Sequence, residues 1–185
     1  WFADLLFYLL DVLWVPEILE SFQDLTFWRQ RPLSQREYLL LEEIFGDSLP
    51  YARIRIDAHC YLGPKTHNLF YVQCCSIKSW GKIPDKILVH EAVHIWQFCQ
   101  VGSVYIPRAL RAQFSEMGYN YGGLNGVVKA WEAGHHLLDF NYEQQGDIIS
   151  DYWHMKYGKL HNDDSLRIPV DKTPYLYFVR QLKEK

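Results

Sequence analysis

The residues His90 to His94 read His-Glu-Ala-Val-His, and they lie in a segment with the pattern of a helix. Two histidines four residues apart project from one helix face about one turn apart, so both imidazoles can reach one metal ion. Glu91 is then placed to take the proton of a water that the ion activates. This motif predicts a central helix that holds a metal ion on one of its faces.

The surrounding residues support this helix. Pro84 suits the first helical position, Asp85 adds an acid to the first turn, and Gly102 provides the stop. Apolar side chains occupy most sides of the segment, as in a helix buried in a core: Ile87, Leu88, Val93, Ile95, Trp96 and Phe98. Buried histidines need polar partners, and a metal supplies them. The alternative is two core histidines bonded to backbone carbonyls.

A matching pair of carboxylates follows in a segment that is expected to be helical through about Tyr157. Glu143 and Asp147 are four residues apart and therefore share a helix face. Because hydrolytic zinc sites commonly use two histidines and a glutamate, Glu143 is the candidate third ligand. Asp147 can then accept the second ring N–H of a ligand histidine and fix its tautomer. Without a metal, the two acids would form a solvated helix face.

These motifs resemble those of the gluzincin metallopeptidases, in which H-E-x-x-H is followed on a later helix by N-E-x-x-S-D or E-x-x-A-D. Gly146 stands here where that pattern has Ala or Ser. The resemblance implies one Zn²⁺ bound by His90, His94 and Glu143, with Glu91 as the general base and Asp147 behind the ligands. It also implies an α+β, helix-rich, zincin-like domain. Its small β-sheet precedes the metal-binding helix, and its edge strand binds extended peptide.

A narrower resemblance is to small H-E-x-x-H-x-x-Q proteins associated with bacterial Rhs and Vgr elements. It is carried by the stretches 88–97 and 140–145, together with 45–51, and it covers roughly residues 32–158. It implies a peptidase of unknown substrate that is cytoplasmic or secreted by a specialised bacterial system. Gln97, one turn after His94, is interpreted as an ordinary polar helix position, with tuning of the metal site as the alternative.

The expected function is zinc-dependent hydrolysis of peptide bonds in a peptide or protein substrate. Gluzincins add a Tyr or His donor to the developing oxyanion, and the sequence leaves five candidates open: Tyr119, Tyr121, His135, His136 and Tyr152. The alternative function is a zinc-stabilised, catalytically weak binding or secretion-associated module, because metal binding also contributes folding energy. The net charge of -3 and the scattered Lys and Arg residues make nucleic acid an unsuitable partner.

With 185 residues, 49% of them hydrophobic, the chain is expected to form a single domain over residues 1–185. The four cysteines, Cys60, Cys74, Cys75 and Cys99, are interpreted as buried thiols. A disulfide from Cys60 to Cys74 or Cys75, or a second metal site that adds His59 and His67, is the lesser alternative. The oligomeric state is left open.

The sequence predicts a helix near the N-terminus and a tail at the C-terminus. Residues 1–20 contain an apolar helix with a thin polar stripe at Asp4 and Asp11. It is too short before Pro16 to span a bilayer, so it is expected to pack on the domain by its apolar faces. Docking to a partner or a membrane surface is the alternative. Residues 161–185 are expected to form a C-terminal tail, with a packed segment at 175–182.

Between these features, local patterns predict further elements. Ser34 and Glu37 form a capping box that opens a helix through Phe45, closed by Gly46. Alternating apolar residues predict strands at 52–59 and 69–77. Helices are expected at 107–117 and 127–138, with a loop at 118–126 between them.

Overall fold

A computed structural model describes residues 2–15, 18, 30–67, 69–157 and 171–183 of the protein. Its α-helices are α1 (Phe2–Val12), α2 (Gln35–Phe45), α3 (Asp85–Val101), α4 (Tyr105–Gln113), α5 (Gly123–Glu132), α6 (Tyr142–Tyr157) and α7 (Thr173–Gln181). Its strands are β1 (Gln30–Pro32), β2 (Arg55–Asp57), β3 (Tyr71–Gln73) and β4 (Ser76–Lys78). The predicted α+β class, helix-rich with a small sheet before the motif helix, is confirmed.

The four strands form one sheet in the order β1-β2-β4-β3. β2 and β4 run parallel, while β1 and β3 lie antiparallel to their neighbours, so β3 is an edge strand. The single strand expected at 69–77 is wrong, because β3 and β4 form a hairpin that turns at Cys74 and Cys75. Cys74 adopts a φ of 52°, a conformation that usually requires glycine. A turn signal was therefore missing from the sequence.

The helix boundaries that rest on caps agree with the sequence. Ser34 and Glu37 make the reciprocal capping-box hydrogen bonds at the start of α2, and Gly46 follows its last residue. Around α3, Pro84 is the N-cap rather than the first helical residue, and Gly102 is the C-cap. α6 ends at Tyr157 as predicted.

The elements between α3 and α6 differ from the prediction. α4 begins at Tyr105 and ends at Gln113, so it starts and ends earlier than the expected helix. α5 begins at Gly123, inside the expected loop, and it ends at Glu132 rather than at residue 138. A close approach requires glycine at position 126 in the first turn of α5, because a Cβ at Gly126 would lie 2.0 Å from the carbonyl oxygen of Tyr121.

The core lies between the sheet and the helices, and α3 runs through its centre against α6. Residues from most elements are fully or nearly fully buried there: Leu41, Phe45, Ile56, Ile77, Leu88, Val89, Ile95, Val127, Ile148 and Phe178. Of the expected C-terminal tail, residues 171–183 are described, and α7 packs on α5 and α6. Cys74 and Cys75 are buried as expected, whereas Cys99 is exposed and Cys60 is half-buried.

The helix α1 contacts the domain through its polar stripe. The Asp11 carboxylate accepts hydrogen bonds from the Ser103 backbone N–H at 3.0 and 3.1 Å, and Asp4 pairs with Arg108 and Arg111. No residue of α1 is buried, and its outer face exposes Phe2, Leu5, Leu6 and Leu9. Phe7 and Leu10 are half-buried, so the face towards the domain combines apolar and acidic side chains, while much of the apolar surface stays exposed. Among the described residues, no helix is long and apolar enough to cross a bilayer.

Candidate metal centre

Two crossing helices bring the three predicted ligands together. His90 and His94 project from one face of α3, with ring centroids 5.0 Å apart, and Glu143 lies in the first turn of α6. The Glu143 Oε2 atom is 3.3 Å from His90 Nε2 and 3.5 Å from His94 Nε2. All three side chains are buried. Within the described part of the chain, they are the one group of three or more potential ligands that converges on a point.

These separations fit a tetrahedral metal ion. Zinc binds histidine nitrogen and carboxylate oxygen at about 2.0–2.1 Å, so two ligands at a tetrahedral angle stand about 3.3–3.4 Å apart. The two measured distances lie close to that value. The alternative second site does not form, because His59, Cys60, His67 and Cys74 make no such group among the residues described.

Each histidine is oriented by a polar side chain that contacts its Nδ1 atom. His90 Nδ1 is 3.0 Å from the Asp147 carboxylate, and His94 Nδ1 is 2.8 Å from Gln97 Oε1. Both Nε2 atoms therefore face Glu143 and are oriented to bind a metal. The interpretation of Gln97 as an ordinary polar position is wrong, because the side chain is only 2% exposed and contacts a candidate ligand.

The charges around the histidines favour a cation. Burial alone lowers the pKa of His90, but hydrogen bonds with Asp147 and Glu143 outweigh it and raise that pKa to about 10. Burial raises the pKa of Glu143, but hydrogen bonds with His90 and His94 outweigh that effect and lower it to about 2. In the absence of an ion, the carboxylates thus stabilise a proton on His90. A divalent cation would replace that proton.

Glu91 is buried beside the ligands but takes no part in their hydrogen bonds. Its Oε2 atom lacks a hydrogen-bond partner, although the side chain is only 5% exposed. Burial raises the pKa of this carboxyl group, against the lowering effect of the two histidines. Because a buried, unpartnered carboxylate oxygen is costly, its position beside the cleft suggests a partner that enters from outside, such as water or a substrate.

A cleft of about 720 Å³ leads to these residues. Glu91, Glu143 and both histidines line its polar end, and apolar side chains form its walls: Leu69, Phe70, Val72, Ile87, Ile106 and Leu110. One wall is the edge strand β3 with the residues before it. Tyr105 on α4 links this wall to the site, since its ring stacks on His94 and its hydroxyl donates to the Val72 carbonyl.

Of the five candidate oxyanion donors, Tyr119 is the one that lines the cleft. Its ring centroid lies 6.2 Å from that of His90. Burial raises the pKa of Tyr119 above its usual value, so the group keeps its proton. Tyr121 instead bonds to Asp151 and Tyr175. Tyr152, His135 and His136 do not line the cleft.

Gly146 explains how α6 can approach α3 so closely. A Cβ at this position would lie 2.6 Å from His90 Cε1, 2.8 Å from Nδ1 and 2.9 Å from Nε2. Carbon atoms in ordinary contact are about 3.5–4.0 Å apart, so no larger residue fits without a shift. The departure from the Ala or Ser of the gluzincin pattern therefore has a local cause, the imidazole that lies against the helix.

Two residues contribute to the site without having been predicted to do so as the leading interpretation. Gln97 carried a signal, because it lies three residues after His94 and hence close to it on the same helix. Tyr105 carried none, since its role depends on how α4 folds back against β3. A polar residue one turn from a metal-binding histidine deserves weight as a hydrogen-bond partner.

Comparisons with known proteins give one distant relative. No protein-family model matches the chain, and no solved structure matches it. The chain is similar to the type VI secretion system spike protein VgrG2b of Pseudomonas aeruginosa, with 29% identity over 136 aligned positions. The match covers 66% of this chain but only 13% of the relative. It agrees with the association with Vgr elements that the sequence motifs imply.

Proposed function

We propose that this protein is a zinc-dependent metallopeptidase. The observation that carries the proposal is the buried group of His90, His94 and Glu143, with the unpartnered Glu91 carboxylate beside it at the end of a cleft. A purely structural metal site has no need of an unligated carboxylate next to the ion. A hydrolytic site requires one to accept a proton.

The donor set supports zinc as the ion. Two imidazoles and one carboxylate form a standard set for catalytic zinc, which keeps a fourth position open for water or substrate. His90, His94 and Glu143 all line the cleft, so water or substrate can reach the ion from it. Asp147 and Gln97 hold the two imidazoles with Nε2 towards the ion.

The residues around the ion have separate roles in this proposal. Zinc, when bound, lowers the pKa of water to about 7 and polarises the scissile carbonyl. Glu91 takes the proton from the attacking water and passes it to the leaving amine. Its raised pKa suits this exchange, because a base that also acts as an acid works best near the operating pH. The Tyr119 hydroxyl donates a hydrogen bond to the oxygen that gains negative charge.

The lining of the cleft supports an extended peptide as the proposed substrate. The edge strand β3 forms one wall, and an exposed strand edge binds extended chains by backbone hydrogen bonds. The apolar walls fit an apolar side chain beside the scissile bond. A protein substrate must therefore present an unfolded or flexible segment.

The test is a Glu91→Gln variant, assayed for zinc content and for hydrolysis of an unfolded, fluorescently labelled protein. We expect full zinc content and a loss of activity of at least about 100-fold, the usual contribution of a general base. Glu116→Gln, the same change at an exposed residue outside the cleft, is the matched control and should retain activity. Equal activity in Glu91→Gln and the wild type would refute the proposal.

The alternative is a zinc-stabilised, catalytically weak binding or secretion-associated module. The similarity to a type VI secretion spike protein favours this alternative. It predicts that wild type and Glu91→Gln bind zinc equally and that neither hydrolyses peptides. The same pair of proteins therefore distinguishes the two functions.

A further inference from the structure

A chain of buried amides connects His94 to the start of α6. Gln97 Oε1 lies 2.8 Å from His94 Nδ1, within hydrogen-bond distance. Gln97 Nε2 donates to the Tyr142 carbonyl at 2.9 Å and to Gln145 Oε1 at 3.0 Å. Gln145 Nε2 in turn donates to the Phe140 carbonyl at 2.8 Å. Both glutamines are buried, at 2% and 1% exposure.

The donors and acceptors in this chain permit one arrangement. If the Gln97 amide were reversed, its oxygen would face the Tyr142 carbonyl, an acceptor without a proton to share. With the amide as observed, only Oε1 is available to His94, so His94 must carry its proton on Nδ1. The lone pair of His94 Nε2 is then free for a metal ion on the side of Glu143.

We propose that Gln97 and Gln145 are positioning residues that fix the tautomer and orientation of His94 for metal binding. This inference rests on the proposed metal centre. Gln97 on α3 orients the imidazole of His94. Gln145 and the backbone of residues 140–142, at the start of α6, keep Gln97 in place through hydrogen bonds. Because Glu143 lies within the same turn of α6, the amides also align the two helices that supply the ligands.

The two histidines thus make hydrogen bonds to different kinds of side chain. His90 bonds to the Asp147 carboxylate, whereas His94 bonds to a neutral amide. The neutral partner orients His94 without adding another negative charge to a site that already contains Glu91, Glu143 and Asp147. Gln97 can also donate to α6, which a carboxylate at the same position cannot do.

The test compares three variants by zinc affinity, measured by chelator competition, and by the visible spectrum of the Co²⁺-substituted protein. Gln97→Leu removes the acceptor for His94 and should lower zinc affinity about 10- to 100-fold, with an altered Co²⁺ spectrum. Gln97→Glu keeps the acceptor but loses both donors to α6. Gln97→Glu should therefore bind zinc more tightly than Gln97→Leu, although its melting temperature should be no higher than that of Gln97→Leu.

Gln144→Leu is the matched control, since Gln144 is a buried glutamine beside Gln145 that bonds to Asn120 and Asn141 instead. It should lower thermal stability and leave zinc affinity and the Co²⁺ spectrum unchanged. Affinities that follow melting temperatures across all three variants would overturn the inference, as would wild-type affinity in Gln97→Leu. Failure of the metal centre itself is distinguishable, because the wild-type protein would then bind no zinc.

Discussion

Gly146→Ala tests whether the close approach of α6 to α3 is required by the metal centre. The added Cβ would lie 2.6 Å from His90 Cε1. The two atoms must therefore move about 0.9 Å apart to reach an ordinary contact distance of about 3.5 Å. The imidazole cannot simply move away, because Asp147 and Glu143 hold its two nitrogens. Either the ring rotates or α6 withdraws, and both change the distance from His90 Nε2 to Glu143.

The expected effects on stability and on metal binding differ. Overpacking costs about 1–3 kcal/mol, but alanine gains about 1 kcal/mol over glycine inside a helix. The metal-free variant should therefore lose only about 0–2 kcal/mol of its free energy of unfolding. Metal–ligand distances tolerate about 0.2 Å of error, so a ligand shift approaching 0.9 Å should lower zinc affinity by at least about 10- to 100-fold.

Zinc affinity from chelator competition and thermal unfolding with and without zinc measure the two effects. Ile149→Val is the control, since Ile149 lies on the same helix, is fully buried and does not line the cleft. It should cost about 0.5–1.5 kcal/mol with unchanged zinc affinity. Wild-type zinc affinity in Gly146→Ala would refute the argument that the imidazole requires glycine at this position.

Three further predictions concern the ligands, the pH and α1. Alanine at His90, His94 or Glu143 should abolish stoichiometric zinc in metal analysis, whereas Asp147→Ala should weaken affinity only about 10- to 100-fold; full zinc content in Glu143→Ala would reject the third ligand. Because the pKa of His90 is raised to about 10, above its unfolded value of about 6.5, zinc must displace a proton. Zinc affinity should rise about tenfold per pH unit from pH 7 to 9. A zinc affinity that stays constant above about pH 7.5 would contradict the raised pKa of His90. In the metal-free protein, the same shift stabilises the fold fully below about pH 6.5 and is lost as the pH rises through about 10. Asp11→Ala should release α1, seen as faster proteolysis within residues 2–15 at unchanged zinc content; an unchanged cleavage rate would mean that other contacts hold the helix.

The parts of the fold that were predictable from sequence depend on local signals. The capping box at Ser34 and the glycines after α2 and α3 define helix ends through contacts within a few residues. The four-residue spacing in both ligand helices places side chains on one face whatever the rest of the chain does. These elements therefore followed from the sequence, whereas the grouping of His90, His94 and Glu143 was predicted from the usual set of zinc ligands and from the gluzincin resemblance.

Other features depend on contacts between distant residues or on strained backbone. The hairpin at Cys74 has no Gly, Asn or Pro to mark it, and its φ of 52° is imposed by the pairing of β3 with β4. The polar contact of α1 was not predictable, because Asp11 finds its partner at Ser103, far along the chain. The spacing of Gln97 from His94 left contact with the metal site as an alternative, and the acceptors on α6 that orient the Gln97 amide were not visible in the sequence.

The most direct test of the account is metal analysis of the purified protein, combined with X-ray absorption at the zinc edge. We predict one equivalent of zinc, bound by two imidazole nitrogens and oxygen ligands at about 2.0–2.2 Å. The double variant that replaces His90 and His94 by alanine should contain no zinc. Protein that contains no zinc and binds none when it is supplied would contradict the central claim, as would zinc that remains bound in that double variant.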